Sequence, residues 1–487
     1  MTKAVVSLWG TGTLGKSRNV TSQRRINLYA ENLGDPDKTP RAFYPRPGLL
    51  KGFNDPNSVS SFPGGPLRGL IVQPSPLSPV SELIYAAQGT RELLATTSGR
   101  FLATPDGFFL TSGGPVQYAS NGVNTMSVDG VTAYLAGAGK FADVPIANFP
   151  NGARSVCFIA GRYVVDDPSS SGKFRWCGVY DVTDWNPLNF ATAESNADPL
   201  VQVFERGGEL LLFGNRTLEF WAPTGDVNVF LRTGGAGIDW GLAIFDTVRK
   251  ANDSVFFIGR NLGGQPQVCR LDGYQVRVVS TPDVEYRMNA AIAAGANVTT
   301  SVVTHSGHTW YIVNLADTSM VYDVRQDEWS EWQTNDPVTG QPGRWAGQYS
   351  SQYRNTAIVT DYRDGRVYYL DADRMTDDVT PITRELYSRH AFANLERMTN
   401  WMIQLDIETG VGLASGQGND PQVMLRISKD GGHTWGNERW RPIGKQGNYR
   451  ARVSWKCNGI ADDWLFHFKV ADPVKTVFLN AAVDFGR

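Results

Sequence analysis

Short runs of alternating apolar and polar residues follow one another along most of the chain, separated by turns rich in Gly, Asn and Asp. Two such runs joined by a turn predict a β-hairpin. Between residues 67 and 373 seven hairpins are predicted, at 83–96, 125–141, 155–182, 209–221, 254–279, 309–332 and 355–370. We therefore expect a succession of small antiparallel sheets over this part of the chain.

The spacing of these hairpins narrows the choice of fold. The last four begin near residues 209, 254, 309 and 355, at intervals close to the roughly 40 to 50 residues of a four-stranded propeller blade. The runs 210–213 and 255–258 are apolar at every position, as expected where both faces of a sheet are covered. We predict an all-β chain in which residues 61–376 form a β-propeller of about six or seven blades. A pair of β-sandwiches is the alternative.

The two ends of the chain depart from this repeat. Residues 1–60 are rich in proline, which removes backbone donors, and they are predicted to form an extended N-terminal arm lying over another part of the protein. Residues 377–487 resume the alternation after an Asp-Asp-Val-Thr-Pro break, and they predict a separate C-terminal β-sandwich. The one helix that the sequence suggests is short, over 384–397.

The arm is a candidate for contact between subunits, because an extended segment can reach a neighbour in a ring. We expect it to be required for assembly but not for the fold of the propeller, so that deletion of residues 1–55 leaves the propeller folded. The residues expected to make this contact are Arg24, Arg25, Tyr29, Pro45 and Pro47.

Composition and charge exclude several classes of protein as interpretations of this sequence. With 51 Gly, 26 Pro and 14 Trp, an all-helical fold is excluded. The 46 basic and 48 acidic residues give a net charge of −2, so any contact with DNA is expected to be local or steric. No run approaches the roughly 18 apolar residues of a membrane span, and the start lacks the apolar core of a signal peptide. Synthesis in the cytoplasm is expected.

Residues 10–17 match the phosphate-loop pattern G-x-x-x-x-G-K-[ST], in which Lys16 would reach phosphate oxygens and Ser17 would hold magnesium. That loop needs a following helix and a parallel sheet, whereas here Arg-Asn-Val-Thr and the proline-rich segment follow. A nucleotide is therefore not expected, and the stretch is left without a role.

Residues 428–435 match the Asp-box pattern S-x-D-x-G-x-T-W. Ser428 and Asp430 can bond backbone groups of the turn, Gly432 can supply a positive φ, and Trp435 can pack beneath the loop. We expect a structural hairpin turn. Asp-boxes also occur in sialidases, in several copies and with an arginine triad and a tyrosine nucleophile, so a glycan-binding or glycan-cleaving propeller remains the alternative function.

No other pattern predicts catalysis or metal binding. His305 and His308 flank a Gly turn without the Glu of a metalloprotease helix, and they are expected in a loop. The aspartates between 361 and 378 lack calcium-loop spacing, which favours a solvated surface. The four cysteines are scattered and are expected to be buried, without disulfides or zinc. We predict no cofactor, no metal site and no enzymatic activity.

One stretch combines basic and aromatic residues in a way that can follow a phosphate backbone. It is a candidate for local contact with DNA or with a partner protein, and the alternative is two strands with charges outward and aromatics inward. Its basic members are Arg439, Arg441, Lys445, Arg450, Arg452 and Lys456.

The order of several motifs resembles the packaged-DNA stabilisation proteins, the tail hub or nozzle family, of short-tailed bacteriophages. The motifs near the start are Arg25-Ile26-Asn27-Leu28-Tyr29, Tyr44-Pro45 and Pro47-Gly48-Leu49. Those near the end are Asp406-x-Glu408-x-Gly410-x-Gly412, Ser428-x-Asp430-Gly431-Gly432, Gly444, Gly447, Tyr449, Arg452, Trp455 and Asp472-Pro473. The resemblance spans nearly the whole chain, and residues 10–17 are a departure that the family does not need.

This resemblance implies a structural virion protein rather than an enzyme. Such a protein forms a ring, commonly of six copies, below the portal and its head-to-tail adaptor, and it extends the DNA channel and helps to retain packaged DNA. Tailspikes or fibres and a tail needle or plug are the implied partners, with duplex DNA passing through the lumen without sequence preference. The resemblance carries over no catalytic residue.

Overall fold

The computed structural model describes residues 8–10, 15–33, 40–51, 65–75, 78–96, 101–103, 111–137, 140–142, 146–193, 198–261, 263–353, 356–393 and 396–486. Four short strands come first and belong to no single domain. They are β1 (Arg25–Ile26), β2 (Leu28–Asn32), β3 (Arg41–Pro45) and β4 (Gly48–Lys51).

The middle of the described chain folds into small antiparallel sheets, which are the blades of a propeller. Blade 1 contains β5 (Leu67–Ser75), β6 (Ser78–Gln88), β7 (Arg91–Thr96) and β8 (Phe101–Ala103). Blade 2 contains β9 (Gln117–Ser120), β10 (Asn124–Val128), β11 (Ala133–Gly137) and β12 (Lys140–Ala142). Blade 3 contains β13 (Val156–Ile159), β14 (Arg162–Asp166), β15 (Lys173–Trp176) and β16 (Phe190–Thr192).

The next blades follow the same plan. Blade 4 contains β17 (Leu200–Arg206), β18 (Glu209–Gly214), β19 (Leu218–Pro223) and β20 (Phe230–Ile238). Blade 5 contains β21 (Trp240–Leu242), β22 (Arg249–Ala251), β23 (Ser254–Asn261), β24 (Gln267–Asp272) and β25 (Gln275–Val278). The helix α1 (Pro282–Ala293), capped by the Thr281 side chain, leads to blade 6.

Blade 6 contains β26 (Thr299–His305), β27 (His308–Asn314), β28 (Ser319–Asp323) and β29 (Glu328–Asn335), with β30 (Pro342–Arg344) paired to β29. Blade 7 contains β31 (Gly347–Tyr353), β32 (Thr356–Asp361) and β33 (Val367–Asp371). Its fourth strand is β4, which pairs with β33 from the other end of the chain. In the described residues the propeller thus has seven blades, within the predicted range.

Burial explains why the blades form a ring. Strands such as β18 and β23 are buried on both faces, so each blade must be covered by a neighbour on either side. Apolar clusters fill the contacts between successive blades, and β31 of blade 7 packs against β5 of blade 1. The ring is closed by this last contact.

Most of the remaining strands build, together with β2 and β3, a two-sheet sandwich. The remaining strands are β34 (Thr376–Asp377), β35 (Thr380–Pro381), β36 (Arg384–Tyr387), β37 (Ala391–Phe392), β38 (Met398–Ile407), β39 (Gln422–Ser428), β40 (Arg439–Pro442), β41 (Val453–Ala461), β42 (Asp463–Val470) and β43 (Phe478–Gly486). β34 and β35 extend the sheet of blade 7 through β4, before the sandwich begins. One sandwich sheet has the order β36-β42-β39-β40 and the other β2-β3-β43-β38-β41. A shared apolar core containing Trp455, Trp464 and Phe466 lies between them.

The first strands join the sandwich to the propeller. β1 pairs in parallel with β29 of blade 6 and antiparallel with β36 of the sandwich, so one sheet runs from blade 6 into the sandwich. β2 and β3 meanwhile belong to the other sandwich sheet. The segment is extended, as expected of the predicted arm, but its strands are integral parts of both domains.

This arrangement corrects one expectation about the arm. Removal of residues 1–55 would remove β4, so the propeller would lose the strand that completes blade 7 and would not remain intact. The residues expected to contact a neighbouring subunit have partners in the same chain, and their contact with a neighbour stays a prediction. Arg24 and Arg25 form ion pairs with Glu331 and Glu328, Tyr29 packs on Trp310, and Pro45 and Pro47 are buried.

Four local expectations are also wrong. Residues 384–387 form β36 and not a helix, because this segment pairs on one side with β1 and on the other with β42. Cys457 is exposed, since it has a φ of 54° at an irregularity in the β38–β41 pairing. Asp361 and Asp377 are buried beside arginines. His308 begins β27 and is fully buried, bonded to Asp323 at 2.7 Å.

Candidate functional site

The Asp-box residues form a closed turn after β39. The Ser428 hydroxyl donates to Asp430 Oδ1 at 2.7 Å and accepts from the Gly432 amide at 2.9 Å. Asp430 accepts from the Thr434 amide and hydroxyl, and these bonds lower the pKa of Asp430 to about 2. Gly432 has a φ of 91°, and Trp435 packs edge-on against Tyr387. The side chains are occupied within the turn, which is a structural role.

The basic stretch lies along adjoining edges of the two sandwich sheets. Among the described strands β40 pairs only with β39 and β41 only with β38, so each is an edge strand of its sheet. Arg439 Nη2 donates to Asn458 Oδ1 at 2.7 Å and Arg441 Nε donates to the Ser454 carbonyl at 3.1 Å, which links β40 to β41. Edge strands present unpaired backbone groups as well as side chains. We call this surface the basic edge.

The basic edge carries exposed positive charge. Arg439 is half-buried, and burial together with the charge of Arg441 lowers its pKa. The other members are exposed, and no carboxylate of the described chain forms an ion pair with any of the six. They are Arg441, Lys445, Arg450, Arg452 and Lys456. An unneutralised cationic surface favours a negatively charged partner.

The aromatic residues of the stretch divide between core and surface. Trp455 is fully buried, and its indole N–H donates to the Arg439 carbonyl at 2.9 Å. Trp440 and Tyr449 are exposed. The strands alternate as the second interpretation expects, and two exposed aromatic side chains lie beside the charges. Contact with DNA or a partner protein stays a prediction.

A cavity of about 910 Å³ adjoins the basic edge. Its lining includes Tyr449 and Arg452 as well as the acidic residues Asp373, Asp406 and Glu408. Its walls therefore carry both signs of charge. The cavity is a recess at the end of the basic edge rather than a site of one charge type.

The phosphate-loop pattern is only partly covered by the structure, since residues 11–14 lie outside the described residues. Residues 17–20 form a turn, not a helix. The Lys16 ammonium lies 5.7 Å from the ring centroid of Tyr286 on α1. The described part thus lacks the helix N-terminus on which a phosphate loop depends.

Neither a metal-binding cluster nor a membrane-spanning helix occurs among the described residues. No group of three or more His, Cys, Asp or Glu side chains in them could hold a metal ion. The helix that they contain is too short and too polar to cross a membrane.

Buried ion pairs at the junction of the domains are the main feature that the sequence analysis missed. Arg46 is fully buried and donates to Asp377 at 2.9 Å and to Asn27 at 2.8 Å. Glu331 accepts from Arg24 at 2.7 Å and lies 3.0 Å from Arg287. The Arg-Ile-Asn-Leu-Tyr motif at 25–29 lies at this junction, but local spacing contains no sign of partners about 300 residues away.

Several solved structures are similar to this chain at low sequence identity. The computationally designed Ika8 protein has 11% identity and a TM-score of 0.39, with 64% of this chain and 98% of that chain covered. The WD40 domain of Neurospora crassa Pan2 has 13% identity and a TM-score of 0.39, with 68% and 95% covered. The extracellular domain of the putative hybrid two component system BT4673 from B. thetaiotaomicron has 6% identity and a TM-score of 0.43, with 66% and 39% covered.

No curated protein sequence matches the chain. Two family models do match it, and together they cover most of its length. Residues 110–375 match the β-propeller of bacteriophage P22 Gp10, and residues 383–486 match the β-sandwich of the same protein. These matches confirm the resemblance and both predicted domain types. The chain therefore belongs to the family of bacteriophage P22 Gp10, a structural phage tail protein that stabilises packaged DNA.

Proposed function

We propose that the chain forms the hub of a short phage tail, as a ring of commonly six copies below the portal and its head-to-tail adaptor. The ring extends the DNA channel, helps to retain the packaged genome, and anchors tailspikes or fibres and a central needle or plug. The observation that carries the proposal is the family match across both domains. In this role the chain acts by assembly and not by catalysis.

The dimensions of the propeller support a ring of several copies. A cavity of about 290 Å³ occupies the propeller axis, and the side chains that line it include Gln117, Tyr118, Arg249 and Tyr349. A DNA duplex is wider than its own major groove, which is about 12 Å wide, and it is too large for a cavity of about 290 Å³. A duplex therefore does not pass along this axis. A DNA channel therefore has to be enclosed between subunits.

The continuous sheet through β1 supports a role as a spacer of fixed shape. Interdomain contacts that are small and polar permit relative motion, whereas here β1 is hydrogen-bonded to strands of both domains. Buried ion pairs at Arg46 and Glu331 reinforce the same junction. A subunit held in this way can keep a channel of constant width.

The charge distribution supports steric retention of DNA with local contact. The net charge of −2 gives no strong attraction for duplex along the whole molecule. The basic edge is the place where a phosphate backbone or an acidic partner surface can bind. Retention by a closed ring does not oppose ejection as tight phosphate binding would.

Electron microscopy of the purified chain and of assembled particles tests the ring. We expect class averages with sixfold symmetry, coaxial with the portal, around a channel wide enough for a DNA duplex. A monomer that stays solitary at high concentration and is missing from the tail would contradict the proposal.

A nuclease-protection assay tests retention of DNA. Filled particles that lack this chain should lose DNA to the medium, and addition of the purified chain should restore protection. Reversal of charge at Arg441 and Arg450 tests the basic edge in the same assay, with Arg216→Glu, an exposed site in blade 4, as the matched control. If both variants protect the packaged DNA equally well, the basic edge has no part in retention. The proposal of a ring would then still stand.

A further inference from the structure

One mouth of the propeller axis opens into a second cavity, of about 570 Å³. It is lined by the segments that enter the innermost strands of blades 1, 2, 3, 5, 6 and 7. Its volume is in the range of about 300 to 1,000 Å³ that is typical of ligand pockets. The lining includes Pro66, Pro115, Phe245, Tyr349 and Tyr362, which provide apolar and aromatic surface.

Arg344 is a charge in this wall that has no ion-pair partner among the described residues. It is only 8% exposed, yet no carboxylate in the described chain forms an ion pair with it. Its hydrogen bonds are two long ones, each 3.5 Å, to the carbonyl oxygens of Trp345 and Gly347. A buried charge that lacks a partner is costly, and burial accordingly lowers the pKa of Arg344 to about 10.

Arg154 is the second cation of the cavity. It is exposed, and its guanidinium carbon lies 4.3 Å from the ring centroid of Phe245. Arg344 is stacked in the same way, 4.1 Å from the centroid of Tyr362. Stacking on an aromatic ring holds a planar guanidinium in place while its N–H groups stay available for a ligand.

The acidic groups near the cavity are already engaged. Asp246 also lines it, but Asp246 Oδ1 lies 3.1 Å from Arg249 Nη1 and accepts from Gln117 at 3.1 Å. The charge of Asp361 raises the pKa of Arg344, but this carboxylate accepts hydrogen bonds from Arg363 at 2.6 and 2.9 Å. Arg68, a further cation of the wall, donates to carbonyl oxygens including that of Gly114 at 2.8 Å. The positive charge of Arg154 and Arg344 is therefore left for an external anion.

We propose that this cavity binds a carboxylate on an acidic segment of a partner protein of the tail, held by Arg154 and Arg344. Planar guanidinium groups pair with carboxylates in a fork geometry, and the proline and aromatic walls suit the apolar stems and backbone of a peptide. A duplex is too wide for a cavity of this volume. The identification of the partner as a tail protein rests on the proposed function. The identification of a carboxylate as the ligand rests on the cavity itself.

Binding of a labelled pentaglutamate peptide, measured by fluorescence anisotropy at low salt, tests the site in the full chain. Wild-type protein should bind it, and pentaglutamine should not bind. Arg154→Gln and Arg344→Gln should each weaken binding by about tenfold or more, the size of a charge-assisted hydrogen bond. Arg216→Gln, an exposed arginine outside the cavity, is the matched control and should leave binding unchanged.

Competition identifies the source of the carboxylate. If glucuronate or N-acetylneuraminate binds through the same arginines and pentaglutamate does not bind, the peptide assignment is overturned in favour of an acidic sugar. Displacement of the peptide by a DNA duplex in an Arg154-dependent manner would overturn it in favour of phosphate. Arg154 is exposed, so its variant remains informative even if Arg344→Gln fails to fold.

The ring assay separates this inference from the proposed function. If wild-type protein forms rings and protects DNA but does not bind pentaglutamate, the cavity proposal fails and the hub remains. If rings do not form although the peptide binds through both arginines, the hub proposal fails and the carboxylate site remains.

Discussion

Glu331 lies where the first strands, blade 6 and α1 meet. Burial alone would raise the pKa of this carboxyl, but Arg24 and Arg287 outweigh that effect and lower its pKa to about 2. Its side chain is almost fully buried between them. Removal of one member of such a group leaves charges buried without a partner, which destabilises by about 3–5 kcal/mol.

Glu331→Gln should therefore destabilise the protein at neutral pH by about that amount. Because the folded pKa lies below the ordinary value of 4.5, the stability contributed by Glu331 is present above about pH 4.5 and is lost as the pH falls toward 2. Melting temperatures between pH 3 and pH 7 would show a weaker acid dependence in the variant. Glu438→Gln, at an exposed site, is the control. Parallel acid dependence in Glu331→Gln and wild type would contradict this account.

The pKa of Glu92 is shifted in the opposite direction to that of Glu331. It is buried between blades 1 and 2 with a hydrogen bond from Ser127 at 3.1 Å, and burial raises its pKa to about 8. The folded state therefore favours the protonated acid, and stability is lost as the pH rises toward and through 8.

Glu92→Gln should change stability little at pH 4, where Glu92 is mostly protonated in both the folded and the unfolded state and an amide resembles the neutral acid. At pH 9 it should stabilise the protein relative to wild type, because no charge has to be buried. Melting temperatures over pH 4–10 give the comparison. An equal difference between variant and wild type at both ends of the range would show that Glu92 does not titrate in this way.

At the scale of elements, β4 is the strand on which closure of the propeller depends. Gly48 begins it, and a Cβ there would overlap the carbonyl oxygens of Arg374 and Thr376. Gly48→Ala should separate β4 from β34 and destabilise the protein by about 1–3 kcal/mol.

Thermal unfolding and limited proteolysis would measure this effect, with earlier cleavage on both sides of β4 in the variant. Gly234→Ala is the matched control, because no atom lies within 4 Å of a Cβ at that position. If both variants have the same melting temperature, the stability of the protein does not depend on the close approach of β4 to β34.

The sequence predicted the elements whose partners are local. Every predicted hairpin falls within one blade, because turn chemistry and alternation are properties of adjacent residues. β4 was missed since its partner, β33, is about 320 residues away. The segment 384–387 was misjudged as helical because strand β1, which holds it in a sheet, is about 360 residues away. α1 did carry a local signal that was overlooked, namely Thr281 followed by proline at its start.

The candidate sites divide in the same way. The basic edge could be recognised because its charges lie within 18 consecutive positions, 439–456. The cavity at the propeller mouth could not, since Arg154 and Arg344 are brought together by the ring of blades. That Arg344 lacks a carboxylate partner is a property of the folded chain and of no local pattern.

At the scale of the whole molecule, the first four strands fasten the propeller to the sandwich. Deletion of residues 1–51 should open blade 7 and break the sheet that joins the domains. We expect the single thermal transition of the full chain to be replaced by separate transitions at lower temperature, because the two cores are no longer coupled.

Differential scanning calorimetry would show this change. A synthetic peptide of residues 40–51, supplied in trans, should restore part of the stability of the deletion variant by refilling the β3 and β4 positions. The same peptide with Gly48→Ala is the control. One transition at an unchanged temperature after the deletion would contradict the fastening role.

The pairing of first strands with late ones also orders events during synthesis. β3 pairs with β43, and Phe43 lies opposite Phe478, so the earliest strands to leave the ribosome wait for nearly the last. At about 5–20 residues per second the wait is on the order of tens of seconds. A chain terminated before β33 can complete neither the propeller nor the sandwich, and a chain terminated before β43 still lacks a central strand of the sandwich. Only full-length subunits would then be competent to join a growing tail, which makes translation itself a check on what enters the particle.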